Sequence, residues 1–94
     1  MSGFRVDTIY IKAEDVAFRI VDAEAVLVNP REGEVRILNA TAARIWELID
    51  GTNTAGYIAQ KIAEEYAVDM AEARNDTGAF LLELANRGLI KEKA

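Results

Sequence analysis

The segment from Glu34 to Gly51, EVRILNATAARIWELIDG, constrains the fold more than any other part of the chain. An alternating strand pattern passes directly into a helical one, with Asn39 or Thr41 able to cap the helix and no room for a loop. It divides the chain into a strand-rich front and a helix-rich back.

Upstream, Val16 to Asn29 alternates and is rich in β-branched residues, with Asp22, Ala23 and Glu24 at its middle, which predicts a hairpin. Asn29-Pro30-Arg31-Glu32-Gly33 turns the chain again, because Pro30 fixes its own φ and Gly33 tolerates positive φ. Glu34 to Leu38 is then a third strand, and the three form an antiparallel meander. Phe4 to Lys12 is either a short extra strand or an arm, so residues 1–14 are set apart within one domain that spans 1–94.

Downstream, Ala42, Ile45, Leu48 and Ile49 share one helical face, with Trp46 as the anchor to the sheet and Asp50-Gly51 as the stop. Thr54 caps a second helix whose apolar stripe is Ile58, Ala59, Ile62, Ala63 and Tyr66. Asp69 caps a third, from about Met70 to Arg87, with Met70, Ala73, Thr77, Phe80, Leu81 and Leu84 on a broad face and Gly88 as terminator. Gly78 inside it costs about 1 kcal/mol relative to alanine and lets another backbone approach closely. Leu89-Ile90-Lys91 is a last short strand or a tail packed on the core.

Composition narrows the chemistry. The chain has no cysteine and no histidine, which removes thiolate and imidazole metal ligands, thiol redox chemistry and the usual catalytic triads. Adjacent carboxylates such as Glu14-Asp15 and Glu64-Glu65 point apart and do not converge on a substrate atom. No glycine-rich phosphate loop is present, and the single serine, Ser2, lies at the N-terminal end, away from any acyl-carrier attachment position inside the fold. No enzyme activity, cofactor or metal is expected.

The formal net charge is −5, with acidic and basic residues interspersed, so a basic nucleic-acid footprint is missing. The N-terminal residues do not form a secretion signal and no apolar run is long enough to span a bilayer, so neither a nucleic acid nor a membrane is expected as partner, and the expected location is the cytoplasm. What remains is binding. If the third strand lies at a sheet edge, its free N–H and C=O groups accept an extended peptide, or else Glu34 and Arg36 are charges that protect a solvated edge.

Taken in order, ILNATAARIWELIDG (37–51), Thr54, IAQKIAEEY (58–66) and FLLELANRGLI (80–90) resemble the PqqD family of small proteins named for pyrroloquinoline quinone biosynthesis, over roughly Val16 to Ile90. The resemblance implies an α+β, winged-helix-like fold in which a three-stranded antiparallel meander precedes three helices. It implies a recognition element that captures a precursor peptide by its leader and hands it to a modifying enzyme, commonly a radical S-adenosylmethionine enzyme. By position in that fold the leader would pair with Glu34, Val35, Arg36, Ile37 and Leu38, with Arg74, Thr77, Gly78, Leu81 and Ala85 standing opposite. Arg36 and Arg74 would favour acidic leader residues, although ordinary core packing accounts equally well for Leu81 and Thr77.

Two other classes stay open on the sequence alone. A winged-helix DNA-binding or regulatory domain shares these elements, but from Asp69 to Arg87 four acids face two arginines, a net of −2 on the helix that would enter a groove. An assembly domain whose edge strand pairs with itself would make a homodimer.

Overall fold

A computed structural model describes residues 5–93. The chain forms β1 (Tyr10–Lys12), β2 (Ala17–Val21), β3 (Glu24–Asn29), β4 (Glu34–Leu38), α1 (Ala40–Leu48), α2 (Ala55–Tyr66), α3 (Met70–Asn86) and β5 (Ile90–Glu92). Strands β2, β3 and β4 make the expected antiparallel meander, and a separate two-stranded sheet pairs β1 with β5. The open choice for the front of the chain therefore resolves in part as a strand; Phe4 itself lies outside the described residues.

Local chemistry explains the boundaries. Asn39, in extended conformation, accepts a hydrogen bond on Oδ1 from the Ala42 N–H (2.9 Å), so it and not Thr41 caps α1. Thr54 caps α2 through the Tyr57 N–H (3.1 Å), and Asp69 caps α3 through the Ala71 N–H (3.0 Å). Asp50 closes the turn after α1 by accepting from Thr52 N, Thr52 Oγ1 and Asn53 N, and these bonds hold its carboxyl below the usual range. Gly88, at φ +74°, stops α3 where an L residue would be strained.

The core lies between the sheet and the helices. Leu27 and Leu38 from the sheet, Ile45, Trp46 and Ile49 from α1 and its cap, Ile58 and Ile62 from α2, and Leu81 and Leu84 from α3 are all buried. Trp46 has no exposed surface, and the edge of Phe18 on β2 meets its ring with centroids 5.6 Å apart. Lys12 of β1 lies over both rings, 4.7 Å from Phe18 and 5.2 Å from Trp46, and burial lowers its pKa against the opposing pull of Asp50 and Glu47. Two residues expected on apolar stripes are exposed. Tyr66 turns outward and its hydroxyl donates to the Ala40 carbonyl at 3.4 Å, and Met70 sits in the first turn of α3 before the helix meets the core.

The first turn of α2 shows how the arm before β1 is held. A helix start leaves N–H groups without partners, and here Ala55 N–H donates to the Thr8 carbonyl (2.7 Å) and Gly56 N–H to the Val6 carbonyl (2.8 Å). A Cβ built on Gly56 would stand 2.9 Å from the Val6 Cβ and 3.0 Å from its carbonyl oxygen. The Gly56→Ala variant should therefore detach the arm: amide exchange at residues 55 and 56 should accelerate at least tenfold, while the tryptophan fluorescence of Trp46 stays unchanged. Unaltered exchange at those two amides would contradict this packing.

Candidate functional site

Strand order leaves β4 at an edge of the meander. Its cross-strand partners on β3 are Asn29, Val28, Leu27, Val26 and Ala25, taken from Glu34 to Leu38. Since paired residues share a face, Glu34, Arg36 and Leu38 look toward the helices with buried Asn29, Leu27 and Ala25. Val35 and Ile37 point the other way and are 63% and 70% exposed, with Val21 and Val28 extending the same apolar outer face. Among the described residues, no backbone hydrogen bond joins the segment 34–38 to any strand but β3, so its other edge offers free donors and acceptors.

The wall opposite this edge is the C-terminal half of α3. Arg87 Nη1 donates to Glu34 Oε2 (3.1 Å), Arg36 Nη2 donates to Glu83 Oε2, and Arg87 Nε stands 3.7 Å from that same Glu83 oxygen. The spacing is a matter of arithmetic. Two strand residues span about 6.6 Å and four helix residues about 6 Å, so the Glu34-to-Arg36 step on β4 matches the Arg87-to-Glu83 step on α3 with the two elements antiparallel. Four side chains thus form a two-rung ionic ladder across the groove. The next rung would set Leu38 level with Ala79 and Phe80, and Phe80 is packed against the core.

The lower end of the groove is closed by the turn before β4. Arg31 Nη2 donates to the Gly88 carbonyl (2.7 Å) and its Nε pairs with Asp15 (2.8 Å), which ties the β3–β4 turn to the end of α3. Arg31 thus adds a contact between strand and helix outside the groove to the two ion pairs that cross it.

The five strand residues singled out in the sequence, Glu34, Val35, Arg36, Ile37 and Leu38, form β4 as one continuous edge. The five helix residues are distributed differently. Thr77, Gly78 and Leu81 are buried, Ala85 is partly buried against the core and Arg74 is exposed. Gly78 and Leu81 line a small cavity with Arg5, Thr8, Tyr10 and Glu92. At 3.6 residues per turn, Arg74, Gly78, Leu81 and Ala85 lie about half a turn from Glu83. Glu83 and the helix cap Arg87 pair with β4 through their side chains, and the sequence reading did not single them out. Their signal was available: Glu-x-Arg on a strand and Glu-x-x-x-Arg on a helix place matching charges at matching rises.

Comparison with known proteins bears on this arrangement. Residues 24–90 match the family model described as Coenzyme PQQ synthesis protein D (PqqD). Among solved structures the chain is similar to TbiB1 in complex with the TbiA(beta) leader peptide, at 31% identity and a TM-score of 0.80, over 89% of this chain and 98% of that one. It is similar to lasso peptide synthetase B1 complexed with the leader peptide, at 27% identity and a TM-score of 0.77, over 87% and 96%. The solution NMR structure of the PqqD truncation of Methylobacterium extorquens PqqCD, a stand-alone recognition element for ribosomally synthesised and post-translationally modified peptides, shares 25% identity with a TM-score of 0.75, over 95% of each chain. No curated protein matches the sequence.

Because the side chains of Glu83, Arg87 and Glu34 remain partly exposed, the ladder should add little to stability. A double-mutant cycle on Arg36→Gln and Glu83→Gln, read by denaturant unfolding, should give a coupling of about 0.5–1 kcal/mol that shrinks in concentrated salt. A coupling that salt leaves untouched would contradict the solvated geometry.

Proposed function

This chain belongs to the PqqD family, and we propose that it is a non-catalytic peptide chaperone that binds the leader of a ribosomally made precursor peptide as an added strand on β4. The open edge of β4 beside α3 carries this reading. An extended peptide laid there gains main-chain hydrogen bonds that do not depend on its sequence, and its alternate side chains fall into the groove against α3. The similarity to TbiB1 and to lasso peptide synthetase B1, both solved with leader peptides, supports the same role.

In this reading Glu34, Val35, Arg36, Ile37 and Leu38 supply the backbone contact. Glu83, Arg87 and Phe80 form the helix wall, while Thr77, Gly78, Leu81 and Ala85 hold α3 in place from its other sides and Arg74 stays in solvent. The bound peptide is presented to a separate modifying enzyme. We propose a radical S-adenosylmethionine enzyme, commonly the partner in the family, as that enzyme, and the cytoplasm as the place where the two meet. Among the described residues no helix is long and apolar enough to cross a membrane.

Strand addition has a periodic signature. In an edge pairing, only every second residue of the added strand turns its N–H toward the host. A set of leader peptides from the nearest short reading frame, each N-methylated at one residue, should lose affinity tenfold or more at alternate positions and little between them. Uniform tolerance of N-methylation would remove strand addition from the account. The competing DNA-binding role is tested separately: a duplex should not be retained at moderate salt, and tight retention would reverse the assignment.

A further inference from the structure

We propose that Arg36 selects for an acidic side chain in the bound peptide, by exchanging its internal partner Glu83 for a carboxylate that the peptide supplies; the inference rests on strand addition at β4. The observation behind it is an imbalance within the ladder. Both arginines draw on one oxygen: Glu83 Oε2 takes Arg36 Nη2 and also lies 3.7 Å from Arg87 Nε. Arg87 has a second carboxylate in Glu34, through Oε2 at 3.1 Å, whereas Glu83 is the one carboxylate paired with Arg36 among the described residues. Glu34 does not relieve it, since its other oxygen, Oε1, is buried without a partner.

Geometry then places the peptide. A strand added to β4 in either direction sets one residue directly across from Arg36, and cross-strand neighbours share a face with Cβ atoms about 4.5–5.5 Å apart. That residue therefore points into the groove beside the guanidinium, between β4 and α3. Arg36 is already the most buried member of the ladder, its side chain 22% exposed, and a covering strand would remove the water it still has. A guanidinium taken from water without a dedicated anion is costly, and two of its five N–H donors can donate side by side to one carboxylate.

Glu83 is the partner that can leave. Its side chain is 44% exposed on the helix surface and stays beside Arg87, four residues on, when Arg36 lets go. An acid across from Arg36 thus gives each arginine its own carboxylate: the peptide's for Arg36, and Glu83 with Glu34 for Arg87. A lysine or arginine at the same place would face Arg36 directly and be rejected. Charge is read at one position, while backbone pairing and apolar side chains supply the remainder of the binding.

The test needs no knowledge of the natural peptide. A random twelve-residue peptide library is selected on the wild-type chain, on Arg36→Glu and on Arg36→Gln, each first shown to melt as a folded domain. Wild type should enrich Asp or Glu at one position of an alternating apolar pattern, Arg36→Glu should enrich Lys or Arg at that position, and Arg36→Gln should lose the charge preference while keeping the apolar pattern. In a selected wild-type binder, changing that acid to its amide should weaken binding about tenfold, and Glu83→Gln should tighten the acidic peptide several-fold by removing its competitor. The same charge preference in all three proteins, with the apolar pattern intact, would overturn the inference and leave peptide binding standing. Enrichment of no peptide by any of them would remove the peptide-binding reading and this inference with it.

Discussion

One residue, Asn39, separates the last strand of the meander from the first helix, and the open edge follows from it. Asn39 cannot span to another strand. It ends β4 and caps α1 in the same step, so the chain leaves the sheet and enters the helix that carries Trp46, buried against Phe18 in the same core as Leu27 and Leu38. Among the described residues no later strand pairs with β4: β5 pairs with β1 in a sheet of its own. An edge with unpaired backbone groups is ordinarily a liability. Here the direct strand-to-helix junction takes the chain away from that edge, and strand addition as proposed would put it to use.

The groove beside that edge is held by charge and not by apolar packing. An apolar seam between β4 and α3 would be stable and shut, and opening it would expose surface to water at a cost that scales with area. An ionic ladder of partly exposed groups costs little to rearrange, because water can take over each charge as it is released. Arg31 on the Gly88 carbonyl and the packing of α3 against α2 also hold α3 in position beside β4. A cleft with exchangeable contacts is compatible with the peptide binding proposed above.

Much of this was legible in the sequence because it is local. The caps at Thr54 and Asp69, the stop at Gly88 and the positions of the three meander strands each depend on a few neighbouring residues and stand where the pattern put them, and of the two caps open for α1 it is Asn39 that serves. The pairing of β1 with β5 was not legible, since it joins the two ends of the chain and neither three-residue strand has a periodicity of its own. The orientation of α3 was the larger loss. Its apolar residues spread so widely around the helix that they do not say which side meets β4, and the residues that do, Glu83 and Arg87, look like ordinary solvated charges until the strand is set beside them. Arg74, singled out on the same helix, is exposed.

The central claim is that β4 accepts a peptide as a strand in the groove it forms with α3. The most direct measurement is an amide NMR titration of the isotopically labelled chain with the leader encoded by the nearest short reading frame. The account predicts shifts concentrated from Glu34 to Leu38 and around Phe80, Glu83 and Arg87, with new protection from exchange at alternate amides of β4. Shifts confined to α1, α2 or the β1–β5 sheet, with β4 undisturbed at saturation, would contradict it.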